Sequence, residues 1–135
     1  IMTPLEELSL PNKIRDNGIQ IERNFLIGIK NLNELSIADY VNHNCDPNVG
    51  IKGQISLITM RDVKKGEQIT FDYGTVLFTK DDTRPYNLRC ECGTNFCRRK
   101  ITQYDWMLPE LPSPETSLVV TRPVVNGVVV PAALK

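Results

Sequence analysis

Three cysteines fall within eight residues in the pattern Cys90-X-Cys92-X4-Cys97, and a fourth, Cys45, lies far upstream. Cys90 and Cys92 are too close in sequence to form a comfortable disulfide with each other, whereas three thiolates at this spacing suit a tetrahedral zinc ion. Cys45 is available as the fourth ligand. Such an all-cysteine site has no open position for water, so we predict a structural zinc that ties the cysteine-rich segment to the loop around Cys45.

Four unmodified or redox-active thiols are the alternative interpretation of these cysteines, but the compact spacing and the even count favour zinc. The basic residues Arg98, Arg99 and Lys100 follow at once. Their charge either offsets the negative charge of a zinc bound by four thiolates or forms a solvated basic turn. The sequence assigns them no role in a site.

The bulk properties of the chain narrow the range of partners. The 135 residues fit one domain with a modest core, and 16 basic residues balance 16 acidic ones. Net charge therefore indicates neither a nucleic acid nor a membrane as partner. The start resembles no signal peptide, and no apolar run is long enough to span a membrane, so we expect an intracellular protein: cytoplasmic if bacterial, nuclear or cytoplasmic if eukaryotic.

The pattern of apolar residues predicts a mainly β chain with short helices. Within residues 1–15, Thr3, Pro4 and Glu6 have the order of an N-cap, a first-turn proline and a capping box. A hairpin is predicted over 19–29, a helical turn over 34–41, a loop over 42–48, and strands over 54–60 and 67–73.

The remainder of the chain gives weaker signals. Residues 79–85 are predicted to be a loop, 90–99 an irregular segment, 105–111 a helical turn and 112–114 a linker. Asn126-Gly127 predicts a tight hairpin turn in a valine-rich tail. The unpaired edge of such a tail offers a surface that a second chain can pair with, although the sequence does not determine the oligomeric state.

Two further motifs carry polar and aromatic groups. Residues 42–48 read Asn-His-Asn-Cys-Asp-Pro-Asn and contain the only histidine of the chain. Residues 66–74 read Gly-Glu-Gln-Ile-Thr-Phe-Asp-Tyr-Gly. Taken alone, His43 is more typical of a hydrogen-bonded structural residue than of a catalytic one, and the second motif is compatible with an aromatic strand end packed in a core.

In this order, the three motifs resemble those of the SET domain family of protein lysine methyltransferases with its post-SET zinc segment. The resemblance covers residues 35–101: an Asn-His-X-Cys-X-Pro-Asn loop, a Gly-Glu-Glu-Leu-Thr-Phe-Asp-Tyr strand and a Cys-X-Cys-X4-Cys-Arg element. It implies a β-clip fold of small sheets around a pseudoknot, with a zinc-stapled post-SET segment. The implied division is 1–89 for the SET domain, 90–111 for the zinc segment and 112–135 for a valine-rich tail of unknown role.

The resemblance also implies a role for individual residues. Asn42 and His43 are expected to hold S-adenosylmethionine, Tyr73 to be the catalytic tyrosine beside both the cofactor and the substrate channel, and Phe71 to limit how many methyl groups fit in that channel. Cys45, Cys90, Cys92 and Cys97 are expected on zinc. By proximity alone, Tyr104 or Trp106 is expected to complete the cofactor pocket, and packing against the zinc segment is the alternative for both.

Methyl transfer from a sulfonium to an amine is an in-line displacement, so the expected site must deliver a deprotonated lysine and hold it in line. Burial of the lysine in an apolar channel lowers its pKa. The expected partner is therefore a protein or peptide that presents a lysine. The substrate itself and its methylation state are not determined by the sequence, although Phe71, which lacks a hydroxyl, favours di- or trimethylation.

The sequence departs from the family at its start. Family members open with a Gly-X-Gly segment that wraps the methionine part of the cofactor, and this segment is not found here. We expect that an N-terminal lobe is missing, either because the sequence begins inside the domain or because this member has lost it, in which case the cofactor binds weakly. A catalytically silent SET-like module that binds a peptide is therefore the alternative function, and a small zinc-binding protein without a cofactor is a third.

Overall fold

The computed structural model describes residues 1–22, 24–53, 55–77 and 86–111, together with the backbone of residues 124–125 and 128–129. One short α-helix, α1, covers Pro4–Leu8. The described strands are numbered in chain order: β1 Ile19–Glu22, β2 Phe25–Ile27, β3 Asn42–His43, β4 Val49–Lys52, β5 Ser56–Thr59, β6 Thr70–Phe71, β7 Asn87–Arg89, β8 Lys100–Thr102, β9 Val124–Val125 and β10 Val128–Val129. The prediction of a mainly β chain with short helices is confirmed.

The N-terminal helix and hairpin form as the local sequence predicts. The Thr3 hydroxyl accepts a hydrogen bond from the Glu6 backbone N–H, and the Glu6 carboxylate accepts one from the Thr3 backbone N–H. This capping box satisfies two of the N–H groups that every helix start leaves unpaired. Strands β1 and β2 then pair antiparallel, with Ile19 opposite Ile27.

Strand β3 pairs in parallel with β6, so that Asn42 lies opposite Thr70 and His43 opposite Phe71. The prediction of a loop throughout 42–48 was therefore wrong at its first two residues. A two-residue strand is too short to leave a hydrophobic period, and only its distant partner defines it. The pairing brings the two motifs together, as the family resemblance implies.

Strands β4 and β5 form an antiparallel hairpin with Val49 opposite Thr59. The sequence patterns missed β4 and overestimated the next two strands, since β5 and β6 occupy only part of the predicted runs. Tyr73 does not end a strand: it begins the 3₁₀ helix Tyr73–Thr75, which Asp72 caps by accepting a hydrogen bond from the Gly74 N–H at 2.9 Å. This cap starts a 3₁₀ helix at Tyr73 and so ends the strand that the preceding residues favour.

The helical turn predicted over 34–41 consists of two 3₁₀ helices, Leu32–Glu34 and Ile37–Tyr40. The predicted irregular segment 90–99 joins strands β7 and β8, which pair antiparallel and which the patterns missed. After it comes the 3₁₀ helix Asp105–Met107, at the position of the predicted turn. In the tail, β9 and β10 pair as the predicted hairpin, while residues 79–85, 112–114 and the Asn126-Gly127 turn lie outside the described residues.

The described residues contain two clusters of buried apolar side chains. One contains Val49, Ile51, Phe71, Val76 and Leu77, and the other contains Cys45, Cys90 and Ile101. Tyr73 and Tyr86 pack against both clusters, so the tyrosine singled out by the motif lies at their junction. Among the residues that the structure describes, none of the helices has the length and apolar character that crossing a membrane requires.

Candidate active site and zinc centre

The four cysteines converge as the spacing predicts. Their Sγ atoms all lie within 4.8 Å of one another, and Cys90 Sγ is 3.7 Å from both Cys45 Sγ and Cys97 Sγ. In a regular tetrahedron with zinc–sulfur bonds of about 2.3 Å, the sulfur atoms are about 3.8 Å apart. The donor atoms therefore fit a zinc ion in both kind and spacing.

The thiol environment also favours a cation at this point. Burial raises the pKa of Cys45 to about 12, against the opposing hydrogen bond from the Arg98 backbone, and burial likewise raises the pKa of Cys90. Burial would raise the pKa of Cys92 as well, but hydrogen bonds, first that of Thr94, lower it to about 6. Buried thiolates of this kind require a compensating positive charge, which a divalent ion supplies.

The Tyr73 side chain is half-buried, and its hydroxyl donates a hydrogen bond to the Val41 carbonyl at 3.0 Å. Burial raises the pKa of this phenol, so it is neutral at physiological pH. Because the hydroxyl proton is committed to Val41, the oxygen lone pairs remain as acceptors for a further donor. The Phe71 ring lies beside it, with the two ring centroids 4.9 Å apart.

His43 uses both ring nitrogens inside the protein. Its Nδ1 accepts a hydrogen bond from the Tyr73 backbone N–H at 3.2 Å, and its Nε2 lies 3.2 Å from Cys45 Sγ. Burial lowers the pKa of His43, against the opposing charge of Asp72, and the neutral ring can accept at Nδ1. A contact between His43 and a cofactor would therefore come from its main chain rather than from its ring.

The side chain of Asn42 is exposed at the start of β3, and within the described residues β3 has a single partner strand, β6. Its other edge presents backbone N–H and C=O groups next to Asn42. These backbone groups and the Asn42 amide can hydrogen-bond a polar ligand. Trp106 is half-buried in the 3₁₀ helix Asp105–Met107, which packs against the helix that carries Tyr73, and Tyr104 precedes it.

A cavity of about 460 Å³ opens beside Tyr73 and Phe71. Its described lining contains apolar residues together with the carboxylates of Asp16, Glu34 and Asp39, and no lysine or arginine is among these lining residues. Asn42, His43, Tyr104 and Trp106 do not line it. The cavity is lined by both residues that the sequence assigned to the substrate channel, Phe71 and Tyr73.

Sequence reasoning missed two residues of this site. Arg98, to which no role was assigned, donates hydrogen bonds to both carboxylate oxygens of Asp72, immediately before Tyr73. Asn48, which is buried, accepts a hydrogen bond from the Thr70 N–H and donates to the Gln68 carbonyl, each at 2.9 Å. Asn48 could have been found, because it is a polar residue inside the motif 42–48. Arg98 gave no such signal, because its partner Asp72 lies 26 positions away in the sequence.

A SET domain family model matches residues 5–74, which is slightly more than half of the chain and includes Asn42, Phe71 and Tyr73. The chain belongs to the SET domain family. The four-cysteine cluster extends the agreement beyond the matched range, because it fits the zinc site of a post-SET segment.

Several curated relatives of this SET domain chain have names that state a methyltransferase activity. The histone-lysine N-methyltransferase SET5 of Yarrowia lipolytica is 32% identical over 120 residues, covering 77% of this chain and 27% of the relative. The histone-lysine N-methyltransferase ASHH3 of Arabidopsis thaliana is 36% identical over 69 residues, covering 46% and 17%. SUV39H2 of Xenopus tropicalis, also named a histone-lysine N-methyltransferase, is 34% identical over 83 residues, covering 47% and 20%.

The chain thus spans between 17% and 27% of the length of these three relatives. No solved structure matches the chain. The comparisons therefore assign the family and a kinship with lysine methyltransferases, while the activity of the whole protein is a matter for proposal.

Proposed function

We propose that the chain carries the catalytic portion of a protein-lysine N-methyltransferase, which transfers a methyl group from S-adenosylmethionine to the ε-amine of a lysine. The observation that carries this proposal is the position of Tyr73. It lines the cavity beside Phe71, lies at the junction of the two buried clusters, and belongs to the motif pair that β3 and β6 bring together.

The cavity supports lysine as the substrate side chain. Its apolar lining disfavours an ammonium ion and lowers the lysine pKa, which promotes the neutral amine that methyl transfer requires. Asp16, Glu34 and Asp39, which also line the cavity, attract the positively charged lysine, but a nearby carboxylate favours the ammonium form, so they do not assist its deprotonation. Because the named relatives are histone-lysine N-methyltransferases, histones are the first substrates to test, in a nuclear or other intracellular setting.

Tyr73 is proposed to orient the substrate amine. With its proton donated to Val41, the phenol oxygen can accept an N–H from the amine and so hold the nitrogen lone pair in line for the displacement. Phe71 packs against this ring and forms part of the cavity wall. S-adenosylmethionine supplies the activated methyl group on a sulfonium when it is bound.

We propose that the cofactor is held by the exposed amide of Asn42, by Trp106, and by the edge of β3, including the His43 main chain, that no described strand pairs with. The four cysteines are proposed to hold one structural zinc that takes no part in the reaction. The division into a SET domain over 1–89, a zinc segment over 90–111 and a separate tail over 112–135 is retained as part of the proposal.

Two substitutions separate catalysis from cofactor binding in the full-length protein. Tyr73→Phe removes one oxygen and should lower kcat by about a hundredfold or more, as for loss of one preorganised polar group, with little change in S-adenosylmethionine affinity. Asn42→Ala should weaken cofactor binding first, because its side chain is proposed to contact the ground-state cofactor. The measurements are methyl transfer to histone peptides by mass spectrometry and cofactor binding by calorimetry.

Unchanged turnover in Tyr73→Phe would remove Tyr73 from the mechanism. If the wild-type full-length protein binds no S-adenosylmethionine, the proposed activity fails, and a silent module that binds a peptide takes its place. Tyr40→Phe is the matched control, because Tyr40 is exposed and does not line the cavity. It should leave both quantities unchanged.

A further inference from the structure

Arg98 connects the cysteine cluster to the turn that carries Tyr73. It directly follows Cys97, and its backbone N–H donates to Cys45 Sγ at 3.4 Å, so its main chain is fixed at the cluster. Its guanidinium donates to the two carboxylate oxygens of Asp72, at 2.7 and 2.6 Å. One residue therefore contacts both the zinc ligands and the neighbour of the proposed catalytic residue.

Asp105 completes a buried ion-pair network around this guanidinium. Arg98 Nε donates to one Asp105 oxygen at 2.9 Å, while the other accepts from the Thr102 backbone N–H at 2.9 Å and the Thr102 hydroxyl at 2.8 Å. Only 13% of the Arg98 side chain and 4% of the Asp72 side chain are exposed. Buried charges persist only when they are paired and hydrogen-bonded, and the planar fork of arginine matches a carboxylate in a way that lysine does not.

The carboxylate that Arg98 holds also shapes the Tyr73 turn. Asp72 Oδ1 accepts a hydrogen bond from the Gly74 N–H and thereby caps the 3₁₀ helix Tyr73–Thr75. This turn lies so close to the zinc segment that a methyl group on Gly74 would come within 2.9 Å of both Asp105 Cβ and Leu111 Cδ1. Protein interiors do not tolerate such an approach, so the turn and the zinc segment are closely packed against each other at Gly74.

We propose that Arg98 is a positioning residue: by clamping Asp72, it transfers the fixed geometry of the cysteine cluster to Tyr73 and holds the phenol at the cavity. The kinetic part of this inference rests on the proposed function. Its structural part, the position of the Tyr73 ring, is measurable without turnover. The clamp gives the cysteine cluster, which takes no part in the reaction, a role in holding Tyr73 in place.

The test compares Arg98→Gln and Arg98→Lys with Arg89→Gln in the full-length, zinc-loaded protein. Arg89 is the matched control because it directly precedes the ligand Cys90 and pairs with Glu91 at 2.7 Å, with 85% of its side chain exposed. Zinc per chain is measured by elemental analysis. The Tyr73 ring is followed by NMR with isotopically labelled tyrosine, its signal being assigned by its loss in Tyr73→Phe, and kcat and KM are measured with a histone peptide.

Arg98→Gln should retain zinc, shift and broaden the Tyr73 ring signal, and lower kcat by about tenfold or more, since small displacements of a catalytic group are costly. KM for the peptide should change less than about twofold, since the variant leaves the cavity lining intact. Arg98→Lys should recover part of the loss. Arg89→Gln should match the wild type in every measurement.

An unchanged Tyr73 signal in zinc-loaded Arg98→Gln would overturn the inference whatever the turnover. If Arg98→Gln loses zinc, the zinc-loaded Arg98→Lys protein is compared with the wild type instead. A wild-type Tyr73 signal and kcat in Arg98→Lys would overturn the inference, whereas a displaced Tyr73 signal would support it. Loss of zinc from both would make Arg98 a residue that assembles the metal site, which also overturns the inference. Absence of turnover in the wild type would refute the proposed function alone, because a displaced Tyr73 signal would still support the clamp.

Discussion

The two sides of the cavity are held in different ways. On the side of Tyr73, buried polar contacts join residues far apart in sequence, such as Arg98 with Asp72 and the Tyr73 hydroxyl with Val41. On the other side, residues 30–40 form two 3₁₀ helices that contain no buried residue. The side-chain hydrogen bonds described for that segment, such as those of Asn31 with Glu34 and Ser36 with Asp39, join near neighbours.

This contrast separates two requirements of a group-transfer site. A reacting group must be held within a fraction of an ångström, which needs a supporting network that cannot move independently. The segment over 30–40, which we propose faces the substrate, keeps its shape through local capping, and its residues Glu34, Ser36, Ala38 and Asp39 line the cavity. We therefore expect substitutions on the first side to change kcat and those on the second to change KM.

The zinc site should give the largest effect. Cys92→Ser removes one ligand, so zinc content should fall from one per chain to near zero and residues 86–111 should lose amide protection in hydrogen exchange. Zinc binding contributes on the order of 10 kcal/mol to small domains of this kind. Apart from its cysteines, the stretch 90–101 has only two apolar residues, Phe96 and Ile101, to replace it. Glu91→Gln, an exposed change between two ligands, is the control and should keep the metal. Wild-type protein purified without zinc would contradict the site.

Phe71→Tyr should alter the product rather than the fold. Phe71 is buried and lines the cavity, and an added hydroxyl there can hydrogen-bond the amine and restrict its rotation. Products should shift from di- and trimethyl-lysine toward monomethyl-lysine. The measurement is mass spectrometry of an initially unmethylated histone peptide after the reaction. Phe96→Tyr, at an exposed position, is the control. Identical product distributions for Phe71→Tyr and the wild type would refute a role in product choice.

Asp39→Asn tests the substrate-facing side. It removes one carboxylate from the cavity lining but keeps an oxygen that can accept the Ser36 hydrogen bonds. KM for a lysine peptide should rise about two- to threefold at low salt, with kcat and thermal stability unchanged, because a single solvent-facing charge contributes little. Asp46→Asn, an exposed carboxylate outside the cavity, should have no effect. A fall in kcat with unchanged KM would contradict the expectation that residues 30–40 affect substrate binding rather than the chemical step.

Glu67 should give the smallest effect, visible only in acid. Its contacts with Arg61, Asn48 and the Lys64 backbone lower its pKa from 4.5 to about 2. Because the folded-state pKa is the lower one, the stabilisation is complete above the unfolded pKa and is lost as pH falls from about 4.5 toward 2. The melting-temperature difference between wild type and Glu67→Gln should shrink across that range. A difference independent of pH would contradict the assignment.

Local signals carried the sequence predictions that were confirmed. The capping box at Thr3, the first hairpin and the β-prone tail all depend on neighbours in the chain. The cysteine spacing predicted the convergence of the four thiols, because zinc accepts few ligand arrangements and the observed cluster fits one of them. By contrast, β3 and β7 are too short to show a period, and β4 is buried at three successive residues, so its sequence shows no alternation.

The same limit explains what was missed in the candidate site. The motif identified Tyr73 and Phe71 through the family resemblance, but not that Tyr73 opens a 3₁₀ helix or that His43 uses its ring nitrogens internally. An arginine in a basic run is indistinguishable from a solvated one until its carboxylate is known. The Arg98 contact with Asp72 spans 26 positions, beyond the reach of any local pattern.

The placement of Cys45 sets an order of events during synthesis. This ligand is translated 45 positions before Cys90, so a nascent chain exposes a single thiol and cannot assemble the tetrahedral site until the last cysteine leaves the ribosome. Closing so long a loop costs entropy that is recovered only when the metal binds, which makes metal capture a late step. If the cluster holds zinc as proposed, a cell short of zinc would accumulate chains whose first hairpins are folded and whose Tyr73 turn lacks the support of Arg98.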